Sequence, residues 1–204
     1  MPFIDNLAYS LFSLGFAGLL LLYIVTSMYL AYRKGQKDYS QHLESAGIPL
    51  LLVGAYIVIA GFWGQITWPL PGSYNILFYD PFVTFGLLIL AFALCIRYGV
   101  RLEYAGFFGM LAGIMTLIYG AEGYSIGLTS APLALLALFA CFGIAGVLSY
   151  PVALIADRLP GFKKNPWPGW TAILAIFWIF LLAASLIAGY IGASAISTHL
   201  ITAP

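Results

Sequence analysis

The sequence predicts an all-α polytopic membrane protein, a bundle of six transmembrane helices with both termini on the outer side of the membrane. Three observations predict this fold class. The 204 residues are 63% hydrophobic and only 7% charged, whereas a soluble domain carries about 25% charged residues. The chain contains six apolar segments long enough to cross a bilayer, and its basic residues fall in only three of the connections between them.

Composition also excludes several classes of protein. A small soluble domain has too much surface to hide this much apolar area. The net charge of +1 and the lack of a basic arm argue against a nucleic-acid partner. Cys95 and Cys141 both fall inside apolar segments and are interpreted as buried hydrophobic side chains. We therefore expect a multi-pass protein of the cell (plasma) membrane, with the lipid bilayer as its first partner.

A transmembrane helix needs about 20 mainly apolar residues, and the chain is predicted to be a single transmembrane domain over residues 1–204. The first apolar run has no Lys or Arg before it and is interpreted as a retained helix, not a cleaved signal. The positive-inside rule makes the basic connections cytoplasmic. The predicted helices are 9–32, 46–64, 81–97, 104–120, 132–156 and 171–193, and the basic residues are Arg33, Lys34, Lys37, Arg97, Arg101, Arg158, Lys163 and Lys164.

The segment 68–82, "WPLPGSYNILFYDPF", connects the second and third predicted helices on the outer side. Its prolines and Gly72 are typical of a turn, which the side chain of Asn75 could close. Residues 76–79 are too apolar for a solvated loop, so we expect them to fold back onto the helix ends. Asp80 before Pro81 is the pattern of an N-cap followed by the first helical position, so the third helix is predicted to begin there.

The later helices carry small residues at helical spacing. The fourth has Ala105, Gly109 and Gly113, the fifth has Gly143 and Gly146, and the sixth has Ala184, Ala188 and Gly192. Small residues let helix backbones approach closely in lipid. The pattern predicts close helix packing, either within one subunit or between subunits, and Pro151 is expected to kink the fifth helix.

The two halves of the chain have opposite topology. The links "WPLPGSYNILFYDP" and "DRLPGFKKNPWPGW" occupy the same place in each half and are both rich in Pro, Gly and Trp. This is compatible with an inverted repeat of residues 1–98 and 104–193, an architecture common in transporters. Pro and Gly also punctuate ordinary loops, and Trp marks any membrane interface.

Polar residues at membrane depth are scarce, and this decides what chemistry is expected. No GxSxG, HExxH, P-loop or dinucleotide motif occurs. His42 and His199 are predicted on opposite sides of the membrane, so they cannot hold one haem together. The sequence therefore predicts a protein that is not an enzyme, with no catalytic residues, no metal site and no cofactor.

Two groups of polar residues are left as candidates. Uncharged side chains along the helices, among them Gln65, Thr116 and Ser149, could line a pore for a small neutral or protonated solute, or bond to their own helix carbonyls without any function. The other group is a candidate binding site on the outer side. Asp80 and Glu122 are acids predicted to face the same compartment, with several tyrosines and one asparagine near them in sequence. If these groups approach each other, they could line an outer vestibule or hold a cation. Two separate interfacial acids are the simpler alternative. The candidate vestibule residues are Tyr74, Asn75, Asp80, Tyr119, Glu122 and Tyr124.

The run "GFWGQITWPLPGSYNILFYDP" at 61–81 resembles a family of small archaeal and bacterial polytopic membrane proteins of unknown function. This resemblance implies a helical membrane protein along most of the chain and brings no activity with it. "YRKGQK" and "LEYAGFFGMLAGIMTL" are somewhat similar to the acetate uptake transporter family. The "NPAPLG" signature of that family is missing, so no substrate or pore residue is carried over.

Two functions remain from the sequence. The first is a channel or transporter for a small solute, with a weak acid as one candidate, which the six-helix plan favours. The second is a non-catalytic accessory subunit of a larger, respiratory-type membrane complex, which the few polar residues favour. The expected state is therefore a homo-oligomer or a member of a complex.

Overall fold

The computed structural model describes residues 6–35, 40–159 and 168–201, and side chains within 7–35, 44–159 and 168–196. The described residues form six α-helices and no strand, each helix long and apolar enough to span a membrane. The predicted all-α, six-helix class is confirmed. The helices are α1 Asn6–Arg33, α2 Ser40–Thr67, α3 Ser73–Tyr98, α4 Glu103–Ser125, α5 Pro132–Arg158 and α6 Trp170–Ile201.

The start of α3 differs from the sequence prediction. The helix begins at Ser73, so residues 76–79 are helical and Pro81 lies in the helix interior. The prediction that Asp80 caps this helix was therefore wrong. A proline in a helix interior removes one backbone hydrogen bond and leaves the carbonyl four residues earlier without its partner. Transmembrane helices tolerate this because neighbouring groups compensate the freed carbonyl.

The helices are arranged as a closed ring. Each helix packs against its neighbours in sequence, and α1 also packs against α6. The closest-packed pairs are α2 with α3, α4 with α5, and α1 with α6. Small residues make these contacts possible: the α-carbon of Gly113 is so close to α5 that an added Cβ would lie 2.6 Å from the Gly143 carbonyl oxygen. The small residues of α4 and α5 are thus used for packing within the chain.

The two ends of the ring differ in charge. We call the end with the α1–α2, α3–α4 and α5–α6 connections the basic end, because Arg33, Arg97, Arg101 and Arg158 lie there. We call the opposite end, where α1 begins and α6 ends, the terminal end. The assignment of the terminal end to the outer side of the membrane stays a prediction. The inverted repeat also stays a prediction, and the closest pairs α2–α3 and α4–α5 do not occupy equivalent places in the two halves.

Candidate functional site

Asp80 is the centre of a polar cluster that joins three helices near the terminal end. The Gln65 side-chain amide donates a 2.9 Å hydrogen bond to one oxygen of the Asp80 carboxylate. The Tyr119 hydroxyl donates a 2.8 Å hydrogen bond to the other oxygen. The carboxylate therefore cross-links α2, α3 and α4. We call Gln65, Asp80 and Tyr119 the three-helix cluster.

The Asp80 side chain faces the surroundings of the bundle and not its axis. Ile76, Leu87 and Leu94 are all exposed on α3. Relative to Asp80, Ile76 is four residues earlier, Leu87 is seven residues later and Leu94 is fourteen residues later. In a helix with 3.6 residues per turn, these spacings place all four side chains on one face. The three-helix cluster is thus at the outer surface of the ring, and the acid does not line a central vestibule.

The depth of the cluster follows from the tryptophans around it. Gln65 lies between Trp63 and Trp68 in sequence, and both tryptophans are exposed. Exposed tryptophans in membrane proteins prefer the headgroup level. The Asp80 carboxylate therefore lies near the membrane interface, where a charged side chain costs less free energy than at the bilayer centre.

Asn75 has a structural role that the sequence indicated. Its side chain is buried, with 1% of its surface exposed. The backbone N–H of Leu70 donates to Asn75 Oδ1 at 3.2 Å, and Asn75 Nδ2 donates to the Gly64 carbonyl at 3.1 Å. These bonds close the α2–α3 connection, as expected for a local turn. Tyr74 stacks on Phe78 with a centroid distance of 6.2 Å.

The remaining candidates do not join the cluster. Glu122 and Tyr124 are exposed near the end of α4. Within the described part of the chain, neither side chain has a hydrogen bond or ion pair with Asp80. Of the six candidate residues, the structure brings together Asp80 and Tyr119, and it adds Gln65. The side chains of His42 and His199 lie outside the described residues.

The axis of the ring contains two adjoining cavities. The larger, which we call the central cavity, has about 850 Å³ of empty space counted to its open sides. It is lined by five helices, all except α2, and it extends toward the basic end as far as Met28, Ile96 and Leu102. The smaller, which we call the terminal cavity, has about 420 Å³ and lies toward the terminal end between Leu11, Phe78 and Leu138.

The two cavities share part of their lining. Both are lined by Pro81, Phe85, Thr116 and Phe142. The rings of Phe85 and Phe142 pack edge to face with centroids 5.4 Å apart. Together the two cavities are lined by α3 residues from Phe78 to Ile96, and the Phe85–Phe142 pair lies where they adjoin. We call Phe85 and Phe142 the phenylalanine constriction.

The walls of both cavities are almost wholly apolar. Thr116 and Ser149 are the polar side chains among the described lining residues, and neither is ionisable. The Thr116 hydroxyl donates to the Ala112 carbonyl at 2.8 Å, and the Ser149 hydroxyl lies 2.6 Å from the Gly146 carbonyl and 3.0 Å from the Gly106 carbonyl. A charged solute in these cavities would lose its hydration without gaining a counter-charge, which is costly.

A second carboxylate organises the basic end. Asp157, in the last turn of α5, accepts a 2.8 Å hydrogen bond from the Leu102 N–H and a 2.9 Å bond from the Glu103 N–H. It thereby caps the N-terminus of α4, where backbone donors lack helical partners and the helix dipole favours an anion. Because Leu102 also lines the central cavity, this cap fixes the wall at the basic end.

The sequence indicated Thr116 and Ser149 as hydroxyls that could line a pore, but it did not predict the apolar cavity residues or the hydrogen bond of Gln65 to Asp80. Phe85 lines the axis and Leu87, two residues on, is exposed, yet both belong to one continuous apolar run. Apolar residues face both lipid and cavity, so periodicity of hydropathy carries no signal here. The described residues contain no group of His, Cys, Asp and Glu that could hold a metal ion.

The fold and the apolar axis define an α-helical polytopic membrane protein with an internal cavity. The chain belongs to the family described as protein of unknown function (DUF981), whose model matches residues 1–202. The expected membership of an uncharacterised family is thus confirmed, and the likeness to acetate uptake transporters stays a prediction. Comparison with curated proteins and with solved structures found no match.

Proposed function

We propose that the protein is a channel or transporter that passes a small solute along the axis of the helix ring. The observation that carries this proposal is the junction of the central and terminal cavities at the phenylalanine constriction. The central cavity is enclosed by five of the six helices, which gives a solute an internal site within the ring. The proposal includes no catalytic step.

The lining favours a solute that crosses in an uncharged form. No described lining residue carries a charge, so an ion would have no partner along the passage. A weak acid fits this requirement when it is undissociated, and a small alcohol or diol fits it at any pH. The apolar walls also favour a solute with an aliphatic body.

The proposal can be tested by solute flux into proteoliposomes. The protein is reconstituted, and the entry of propane-1,2-diol and of the bulkier 2-methylpentane-2,4-diol is followed by stopped-flow light scattering. We expect faster entry of the small diol than in protein-free liposomes. Phe85→Ala removes one side of the constriction, so it should raise the rate for the bulkier diol several-fold.

The matched control is Leu87→Ala, which shortens an exposed side chain on the same helix. It should leave both rates at the wild-type value. Diol entry no faster than in protein-free liposomes, for the wild type and for Phe85→Ala alike, would contradict a passage through the ring.

The second candidate function is a non-catalytic accessory subunit of a larger membrane complex. It is supported by the short connections at the terminal end, where five residues separate α2 from α3 and six separate α4 from α5. Connections of this length hold no separate domain between the helices. Purification in mild detergent decides between the two: a defined homo-oligomer supports a transporter, and stoichiometric recovery of other membrane proteins supports a subunit.

A further inference from the structure

The polar side chains that line the central cavity are hydroxyls whose hydrogens are already in use. Thr116 on α4 and Ser149 on α5 supply its two described polar side chains. Each hydroxyl has one hydrogen, and that hydrogen is used in a bond to a backbone carbonyl. The lone pairs of both oxygens are left to accept a hydrogen bond, because a hydroxyl can donate once and accept twice.

The helix backbone around the cavity also lacks free hydrogen-bond donors. Helical N–H groups are consumed by the helix itself, and each proline removes one such donor. Pro81 lines the cavity, and Pro151 lies in α5 between two other lining residues, Ser149 and Val152. By helix geometry they leave the carbonyls of Leu77 and Val147 without their usual partners. Leu77 and Val147 are not among the residues that line the cavity. The acceptors of its described lining are therefore the Thr116 and Ser149 hydroxyl oxygens, and that lining has no free side-chain donor.

We propose that the central cavity binds an uncharged aliphatic molecule with one hydrogen-bond donor, which donates to the Thr116 or Ser149 hydroxyl oxygen. Primary alcohols and undissociated monocarboxylic acids have this chemistry. A carboxylate does not, because it can only accept hydrogen bonds and would bring an uncompensated charge into an apolar space. This assignment rests on the proposed function for its physiological meaning, since it names the class of solute.

The test compares two isomers that differ in the donor alone. Hexan-1-ol has a hydroxyl hydrogen, and methyl pentyl ether has the same atoms without a donor. Binding of each is measured by calorimetry on the protein in lipid nanodiscs, with empty nanodiscs subtracted to remove partition into lipid. We expect the alcohol to bind about two- to tenfold more tightly than the ether, the factor that one net hydrogen bond provides.

Two variants locate the preference. Thr116→Val keeps the shape of the side chain and removes the hydroxyl, so the preference for the alcohol should fall. Ser149→Ala is the second variant and should also lower the preference for the alcohol. It ranks second because the Ser149 hydroxyl also contacts the Gly106 carbonyl, so its loss removes a bond between α4 and α5. The control is Thr84→Val, since the Thr84 hydroxyl bonds to the Asp80 carbonyl and lines neither cavity. Thr84→Val should keep the full preference.

Hexanoic acid gives an independent measurement. No described residue that lines the central cavity titrates, so binding should follow the protonation of the ligand alone. It should be lost as pH rises through the pKa of free hexanoic acid, with the same midpoint in Thr116→Val. Equal binding of alcohol and ether, or binding of hexanoate at neutral pH, would overturn the inference. Absence of diol flux with an intact alcohol preference would instead reject the transport function and leave the binding site.

Discussion

The cap formed by Asp157 gives a quantitative prediction about stability. Its two carboxylate oxygens accept separate hydrogen bonds from the N–H groups of Leu102 and Glu103, at 2.8 and 2.9 Å. Replacement by alanine leaves both donors at the start of α4 without these partners. The site is part-buried, so water can replace the lost acceptor only in part.

The magnitude follows from the two bonds. A hydrogen bond to a charged group contributes about 1.5–3 kcal/mol, and loss of an N-cap side chain costs about 0.5–2 kcal/mol. Because the two bonds share one side chain and remain partly accessible, we expect Asp157→Ala to lower the free energy of unfolding by about 2 kcal/mol. Asp157→Asn keeps one acceptor oxygen and should lose about half of that.

The assay is a reversible unfolding titration with sodium dodecyl sulfate in mixed micelles, followed by tryptophan fluorescence. Glu122→Ala is the matched control, because Glu122 is an exposed acid with no described side-chain partner. It should change the free energy by no more than about 0.5 kcal/mol, as is usual for surface substitutions. Equal stabilities of Asp157→Ala and Glu122→Ala would refute the cap as a stabilising contact.

Two further predictions use the same titration. Tyr119→Phe removes one of the two hydrogen bonds to the Asp80 carboxylate and should lower the free energy of unfolding by about 1 kcal/mol. The control is Tyr124→Phe, at an exposed tyrosine on the same helix, which should not change this free energy measurably. Equal losses in the two variants would argue against the three-helix cluster. Gly113→Ala places a Cβ against the backbone of α5 and should cost about 1–3 kcal/mol by overpacking. The control is Gly189→Ala, where an added Cβ meets nothing within 4 Å, and it should not lower the free energy of unfolding. A Gly113→Ala variant as stable as Gly189→Ala would contradict the close approach of α4 and α5.

The number and approximate position of the helices could be predicted because a membrane span imposes its own length and composition. The error at the start of α3 has a local cause. The dipeptide Asp80-Pro81 is compatible both with the N-terminus of a helix and with the interior of a membrane helix. The apolar residues 76–79 were the available signal that the helix extends back to Ser73.

The candidate site could be predicted only in part. Sequence reasoning selected Asp80 because acids are few in this chain, and it selected Tyr119 because it lies near the predicted outer end of the fourth helix. It could not pair them with Gln65, since that contact depends on the rotation of α2 about its axis. The apolar lining of the cavities was not predictable, because Phe85 and Phe142 have the same polarity as their lipid-facing neighbours.

The central claim is that the axis of the ring holds an uncharged solute that donates a hydrogen bond. Anomalous diffraction from crystals soaked in 6-bromohexan-1-ol tests it most directly, since bromine marks the position of the aliphatic chain. We expect a bromine peak inside the central cavity, with the alcohol oxygen within hydrogen-bonding distance of the Thr116 or Ser149 hydroxyl. Bromine found only on the lipid-facing stripe of Ile76, Leu87 and Leu94 would contradict the claim.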